Sequence, residues 1–222
     1  MIIAKFAAVI IGGYILGSIP FGVIISRWSA RVDVRDFGSG KTGATNVLRV
    51  AGKKAALTAV LLDFFKGTLA VFLAGLLFRG DYLSWGLASG AQVLAGMAAV
   101  GGHKWPVFLS FRGGRGVATY FGGLLALYPP AAMVGGGILF LSTGLTRYVS
   151  LGSIAGAIGA LALLLPLTLF YGTPFEYLVY ALSGAIFIIV VHRDNIARLR
   201  AGKERKIGEK VALKDSLSSP HS

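Results

Sequence analysis

Residues 6–25, FAAVIIGGYILGSIPFGVII, contain no charged side chain, and this stretch decides the class of fold. An apolar run of about 18 residues or more is a candidate membrane-spanning helix. Residues 177–191, YLVYALSGAIFIIVV, are equally apolar. The whole chain is 55% hydrophobic and 14% charged, whereas soluble domains average about 25% charged residues. The sequence therefore predicts an all-α integral membrane protein that crosses the bilayer several times.

Loop charges predict the orientation of this protein in the membrane. About seven apolar segments can be drawn, at 5–28, 55–78, 84–102, 115–128, 130–146, 149–171 and 175–191. The first lacks an A-x-A-like cleavage site, so we expect it to be retained as a helix. Loops rich in lysine and arginine stay in the cytoplasm, and here these are 29–54, 103–115 and the stretch after His192. We predict that the N-terminus is outside and the C-terminus is cytoplasmic.

The region 115–146 is predicted to form short helices. Residues 117–128 make about 18 Å of helix, well below the ~30 Å of a bilayer core. Pro129 and Pro130 then interrupt the helix, because proline lacks the N–H that a helix interior needs. We expect neighbouring helices to shelter this region. Residues 1–200 are predicted to be a single polytopic membrane domain, and residues 201–222 a basic, flexible cytoplasmic tail.

The loop Gly38–Asn46, GSGKTGATN, ends like a nucleotide-binding P-loop. The full pattern needs a glycine five residues before Gly40, where Arg35 stands. The stretches outside the membrane are also far shorter than a nucleotide-binding domain, so an ATPase is excluded. Glycine turns can instead direct backbone N–H groups toward an anion. The candidate phosphate ligands of this first loop are Ser39, Gly40, Lys41, Thr42, Thr45, Asn46 and Arg49.

The second loop, residues 102–119, reads GHKWPVFLSFRGGRGVAT and again combines glycines with basic side chains. Guanidinium groups bind two phosphate oxygens at once, and the helix that follows can add its N-terminus. A basic stop after the preceding helix would explain the arginines but not the two glycines between them. The candidates here are His103, Lys104, Arg112, Gly113, Gly114, Arg115 and Gly116.

The third segment, residues 192–210, follows the last apolar run and reads HRDNIARLRAGKERKIGEK. His192 and Asn195 are three residues apart and would share one face of a continuing helix. The alternative is an ordinary interfacial histidine, followed by a basic tail attracted to anionic lipid. All three segments fall on the predicted cytoplasmic side, which implies one site for more than one phosphate.

Asp63 and Lys66 lie one helical turn apart inside an apolar segment. Charges there are costly and usually face the interior of the bundle. We favour mutual neutralisation over direct contact with a substrate.

Metals, cofactors and nucleic acids are not expected. The chain has no cysteine, and its three histidines are scattered, so a metal cluster is not predicted. We also expect no cofactor and no nucleic-acid partner. The expected partners are membrane lipids and small phosphorylated substrates.

Four stretches together resemble the bacterial PlsY family of acyl-phosphate-dependent glycerol-3-phosphate acyltransferases. They are GSIPFG at 17–22, GSGKTGATNVLR at 38–49, the second loop at 102–119, and HRDNIARLRAGKERK at 192–206. The resemblance implies a seven-helix protein of the bacterial inner membrane, with its active site on the cytoplasmic face. It implies transfer of an acyl chain from acyl phosphate to the sn-1 hydroxyl of glycerol 3-phosphate. The products would be lysophosphatidic acid and phosphate, in the first step of bacterial phospholipid synthesis. It also implies a functional link to the enzyme that makes acyl phosphate.

The resemblance also bears on catalysis. The family usually has asparagine in place of Lys41, and lysine is common in place of Arg112 and Arg115. The H-x-x-x-x-D pair of acyl-CoA-dependent glycerolipid acyltransferases is missing after both His103 and His192. The family instead suggests a substrate phosphate oxygen as the base. Within the chain, His192 and Ser39 are the catalytic candidates, with His192 as the alternative base.

A transporter of an organic phosphate is the competing class of protein. It would also need a basic, glycine-rich site among helices. Transport sites usually lie near the bilayer midplane between broken helices, whereas the basic motifs of this chain lie at one predicted membrane face.

Overall fold

The computed structural model describes residues 2–79 and 87–209, and within these ranges the regular structure is helical, with no strand. This confirms the all-α prediction. The α-helices of the described ranges are α1 Ile2–Ser18, α2 Phe21–Ala30, α3 Ala44–Leu77, α4 Ala88–Lys104, α5 Val117–Leu127, α6 Pro129–Thr146, α7 Val149–Tyr171, α8 Phe175–Val191 and α9 Arg193–Arg200. Short 3-10 turns lie at Val34–Asp36 and Val107–Leu109.

The first apolar segment consists of two helices. Helix α1 ends at Ser18 and α2 begins at Phe21, because Pro20 has no N–H to continue the helical ladder. The N–H of Phe21 donates to the carbonyl of Ile19 at 3.1 Å. The break turns the chain toward the first loop and brings Gly22 against the backbone of Thr42.

Helix α3 begins at Ala44, eleven residues earlier than the apolar run suggested, so part of the predicted loop 29–54 is helical. Gly52 divides it, with φ 84° and ψ −178°. This backbone region is essentially restricted to glycine. The short part before Gly52 carries Asn46 and Arg49, and the long part after it contains Asp63 and Lys66.

The region 115–146 matches its prediction in part. Helix α5 has 11 residues, and its buried residues, among them Tyr120 and Leu124, are covered by neighbouring helices, so it is both short and sheltered. Gly67 of α3 and Gly122 of α5 permit the close approach, since a Cβ at either would overlap the facing backbone. Helix α6 begins at Pro129 and has 18 residues, about 27 Å at 1.5 Å per residue, so it is longer than expected.

Two stacked aromatic rings lie at the centre of the bundle. The rings of Tyr120 and Tyr180 are 5.3 Å apart and nearly parallel, and both residues are fully buried. The Tyr180 hydroxyl donates to the Tyr120 carbonyl at 3.0 Å, which satisfies a polar group that would otherwise be costly to bury. This pair fixes α8 against α5.

The outer surface carries large apolar side chains, as expected of a protein surrounded by lipid. Leu145 and Phe170 are each 77% exposed and Phe140 is 76% exposed. Within the described residues, three stretches are long and apolar enough to cross a membrane: Ile2–Ala30, Ala44–Leu77 and Val149–Tyr171. A fourth results if α8 and α9, which are bent by 60°, are taken together. The count of seven spans and the orientation of the termini remain predictions.

The first residues of the predicted tail lie against the bundle. The Ile207 N–H donates to the Arg147 carbonyl at 2.8 Å, and an Arg147 guanidinium nitrogen donates back to the Ile207 carbonyl at 3.1 Å. Residues 210–222 lie outside the described residues. The division into a domain of residues 1–200 and a flexible tail therefore stays a prediction.

Epitope tags test the predicted orientation. A tag before Met1 should be accessible from outside the cell, and a tag after Ser222 should be accessible only from the cytoplasm, because basic loops stay inside. Tag protection in intact cells and in inverted vesicles measures this. Both tags on one side would require an even number of spans.

Candidate active site

The first loop is shaped by the buried side chain of Asn46. Its Oδ1 accepts the Ser39 N–H at 3.1 Å. Its amide nitrogen donates to three carbonyls, those of Val34 at 2.8 Å and of Phe37 and Lys41 at 3.0 Å each. Asn46 was predicted as a phosphate ligand, but its amide hydrogens are engaged by the loop. The geometry therefore supports a role in positioning the loop.

The other side chains of the first loop differ in exposure. Ser39 and Lys41 are exposed, Thr45 and Arg49 are half-buried, and Thr42 is buried. The Gly40 N–H donates to the Phe37 carbonyl at 3.0 Å, which leaves it turned into the loop and away from an anion. The side chains of Ser39, Lys41 and Arg49 remain available as ligands in this loop.

Arg35 occupies the position where a P-loop would have its first glycine, and the structure gives it another task. Its guanidinium pairs with Asp33 at 2.7 Å. These hydrogen bonds hold the pKa of Asp33 well below its usual range. Arg35 is therefore neutralised within the loop.

The two glycines of the second loop allow it to fold back on the end of α4. The Gly113 N–H donates to the Lys104 carbonyl and the Gly114 N–H to the His103 carbonyl, each at 3.1 Å. A side chain at either glycine would overlap His103. The N–H groups of Gly113 and Gly114 thus bond within the protein. The two glycines serve close packing here, whereas the sequence suggested that they bind phosphate.

Arg115 has the clearest unmet bonding capacity in the second loop. Its Nε is buried and has no hydrogen-bond partner among the described residues. Burial lowers the pKa of Arg115, and the nearby cations Arg198 and Arg49 lower it further. Arg112, by contrast, is exposed. An anion bound beside Arg115 would satisfy both its charge and its donor.

His192 lies between α8 and α9 and is 1% exposed. Its Nδ1 is 2.7 Å from the Ile188 carbonyl. Because a carbonyl only accepts, Nδ1 carries the proton in the neutral ring, which leaves the Nε2 lone pair free. Burial lowers the pKa of His192 to about 4, and the Arg115 charge contributes. The imidazole is therefore neutral near pH 7.

Glu204 holds the third segment in place. Its Oε1 accepts from Asn195 Nδ2 at 2.5 Å and from the Ser150 hydroxyl at 2.8 Å. Its Oε2 accepts from Arg198 Nε at 2.8 Å. Burial on its own would raise the pKa of Glu204, but these hydrogen bonds hold it below its usual value. Sequence reasoning missed Glu204 and Ser150; the only signal was a lone acidic residue within the basic stretch KERK.

The three segments converge. Lys104 is within electrostatic range of Lys41 from the first loop, Arg115 from the second and Arg193 from the third. Arg115 in turn feels the charges of Arg49 and Arg198, and His192 feels those of Arg115 and Lys104. The structure thus brings together the basic residues that the sequence placed in separate loops. The described residues contain no group of three or more His, Asp or Glu side chains suited to a metal ion.

His103 lies apart from this basic cluster. It is 6% exposed, and its Nδ1 is 3.4 Å from Asp63 Oδ1. The same carboxylate oxygen pairs with Lys66 Nζ at 2.7 Å, in line with the mutual neutralisation that the sequence favoured. His103 was predicted to bind phosphate, but the structure places it beneath the second loop.

An apolar exterior, helices throughout the described ranges and a cluster of cations that the protein neutralises only in part define the class: an integral membrane protein with a strongly basic site. Comparison with known proteins narrows this class. A family model described as "Glycerol-3-phosphate acyltransferase" matches residues 7–202. The chain belongs to this family, the PlsY glycerol-3-phosphate acyltransferases.

Curated relatives and solved structures agree with this membership. The protein named glycerol-3-phosphate acyltransferase 3 of Dehalococcoides mccartyi (strain CBDB1) is 57% identical over 95% of this chain and 100% of its own. A Synechococcus elongatus glycerol-3-phosphate acyltransferase is 43% identical, covering 92% of this chain and 96% of its own. A crystal structure of PlsY (YgiH), in its glycerol 3-phosphate form, superposes with a TM-score of 0.80 at 38% identity. The superposition covers 91% of this chain and 96% of the PlsY chain.

A substitution of Glu204 tests its role in holding the third segment. Glu204→Ala should destabilise the protein by about 2 kcal/mol or more, because Asn195, Ser150 and Arg198 lose a buried acceptor. The measurement is thermal unfolding in detergent. The matched control is Glu209→Ala, since Glu209 is exposed. Equal midpoints for the two variants would contradict this account of Glu204.

Proposed function

We propose that this protein transfers an acyl chain from acyl phosphate to the sn-1 hydroxyl of glycerol 3-phosphate. The products are lysophosphatidic acid and inorganic phosphate. The site lies on the cytoplasmic face of the bacterial inner membrane, and an enzyme that makes acyl phosphate supplies the donor. Family membership supports the acyltransferase activity and gives no support to the alternative of a phosphate transporter.

The observation that carries this proposal is the half-buried Arg115, which lies among other cations and whose buried Nε has no hydrogen-bond partner among the described residues. The two substrates together bring about three to four negative charges near neutral pH, because the second pKa of a phosphate monoester is about 6. Such charges repel one another strongly in a low-dielectric site unless cations compensate them. Lys41, Arg49, Lys104 and Arg115 supply that compensation, drawn from the first two loops.

The donor's own chemistry reduces what the protein has to do. The carbonyl carbon of an acyl phosphate is already activated, so the substrate hydroxyl attacks it directly. The new ester C–O bond forms while the bond from the carbonyl carbon to the phosphate oxygen breaks, and phosphate leaves with the bonding electron pair. The hydroxyl proton passes to a phosphate oxygen. The protein contributes alignment and polarisation.

His192 and Ser39 fit this scheme as orienting groups. A neutral His192 with a free Nε2 lone pair accepts a hydrogen bond from the attacking hydroxyl and so directs it. With a pKa of about 4, the imidazole is a weaker base at neutral pH than a phosphate dianion, which supports the phosphate as proton acceptor. Ser39 is exposed on a loop fixed by Asn46, and its hydroxyl donates to the acyl phosphate.

Lys41 is the main departure from the usual family residue in this site. Its side chain is exposed, and its charge reaches Lys104. It adds positive charge at the edge of the site, and its backbone carbonyl is held by Asn46 as an asparagine's would be. Lys41 therefore strengthens phosphate binding without changing the shape of the loop.

The choice of donor is the decisive experiment. Purified protein should convert glycerol 3-phosphate and palmitoyl phosphate to lysophosphatidic acid, and palmitoyl-CoA should not replace palmitoyl phosphate. The reason is that the chain lacks the H-x-x-x-x-D pair of acyl-CoA-dependent glycerolipid acyltransferases. Product formation is measured with radiolabelled glycerol 3-phosphate. Comparable turnover with acyl-CoA would refute the donor assignment, and uptake into vesicles without chemical change would restore the transporter.

The pH profile tests the role of His192. Its pKa in the folded protein lies below that of a free histidine, so it stays uncharged from neutral pH down to about pH 4. Protonation of His192 therefore cannot cause a loss of kcat/KM between about pH 7 and pH 5. We expect any acid limb in this range to follow the substrate phosphate near pH 6. The variant His192→Asn should lower kcat and leave the position of that limb unchanged. If the limb disappears in the variant, His192 itself is the titrating base.

A further inference from the structure

A buried, electrically neutral cluster lies beneath both phosphate-binding loops. Asp63 and Lys66 of α3 are each 2% exposed and pair at 2.7 Å. His103, near the end of α4, is 6% exposed and contacts the same carboxylate oxygen. The ammonium and the carboxylate cancel in charge, which makes their burial affordable. None of the three side chains has an assigned task in the chemistry above.

Lys66 connects the cluster to the break between α1 and α2. Its Nζ donates to the Ile19 carbonyl at 3.0 Å and lies 5.6 Å from the centroid of the Phe21 ring. The break at Pro20 leaves this carbonyl outside the regular ladder of either helix, and the ammonium supplies a second donor beside the Phe21 N–H. The next residue, Gly22, packs directly on the Thr42 carbonyl of the first loop. A shift of Lys66 would therefore be transmitted to that loop.

His103 connects the cluster to the second loop. Gly114 packs against the Nε2 side of its ring, and the Gly114 N–H donates to the His103 carbonyl at 3.1 Å. The loop residue that follows is Arg115, the half-buried cation of the proposed site. The orientation of the His103 imidazole thus sets the position of the backbone at Gly114 and Arg115.

We infer that Asp63, Lys66 and His103 are positioning residues that set the two phosphate-binding loops relative to each other. This inference rests on the proposed function and assigns no substrate contact to the cluster. The carboxylate of Asp63 contacts both other members of the cluster. Lys66 connects it to the first loop, and His103 connects it to the second loop. Loop alignment matters because displacing a phosphate ligand by about 1 Å can cost on the order of a hundredfold in rate.

The test compares Michaelis constants and stability in variants of the cluster. Asp63→Asn and Lys66→Met each leave one buried group without its charge partner. The paired variant Asp63→Asn/Lys66→Met removes both charges, so we expect it to fold even where a single variant fails. We expect the folded variants to raise the KM for glycerol 3-phosphate about tenfold or more while kcat changes less.

A matched control separates positioning from general stability. Thr68, also on α3, donates to the Gly122 carbonyl of α5 at 2.8 Å and supports neither loop. Thr68→Val should lower the unfolding temperature and leave the KM unchanged. A second measurement is a double-mutant cycle that combines Asp63→Asn with Gly114→Ala. Because both changes act through His103, their effects on kcat/KM should not add.

Several outcomes would overturn the inference. A cluster that only stabilises the fold would behave as Thr68 does, with a lowered unfolding temperature and unchanged KM in the folded fraction. Failure of the single and the paired variants alike to fold would make the cluster a folding element only. Additive effects with Gly114→Ala would exclude transmission through His103. A wild-type protein without turnover would instead refute the proposed function, so the two failures are distinguishable.

Discussion

Inside a bilayer, backbone N–H and C=O groups cannot turn to water, so a chain that leaves the helical pattern must satisfy them from within. Two irregular segments near the site of this protein do so with the help of one side chain each. Asn46 binds three carbonyls and one N–H of the first loop. Lys66 binds the carbonyl at the break between α1 and α2. The non-helical backbone of these two segments is thus stabilised by polar side chains of the protein itself.

The basic side chains near the proposed site differ in whether a carboxylate pairs with them. Asp33 neutralises Arg35, and Asp63 neutralises Lys66. Arg115 is half-buried, and its buried Nε has no hydrogen-bond partner within the described part of the chain. Carboxylates thus pair directly with Arg35 and Lys66, whereas none of the described carboxylates is within salt-bridge distance of Arg115. Glu204 also lies near these cations, at the rim of the cluster. It accepts hydrogen bonds from Asn195, Ser150 and Arg198.

The apolar runs and the basic loops were enough to predict the helical membrane fold and the convergence of three segments. The roles within the site could not be predicted equally well, because residue type does not reveal which partner a group has found. Asn46 and His103 have the chemistry of phosphate ligands, yet one is engaged with loop carbonyls and the other lies under the second loop. Gly113 and Gly114 were singled out as phosphate ligands, and the structure shows them packed closely against His103. Ser150 contacts Glu204 across 54 residues of sequence, a distance that no local pattern encodes.

Gly52 shows how a position can be constrained without any neighbour. A Cβ added there would meet nothing within 4 Å, but the backbone has φ 84° and ψ −178°. Any side chain would bring a strain of about 1–3 kcal/mol. The joint separates the short helical part with Asn46 and Arg49 from the long part with Asp63 and Lys66. The bend between the two parts of α3 therefore depends on one residue being glycine. We expect selection to remove other residues at position 52, although the space around it is open.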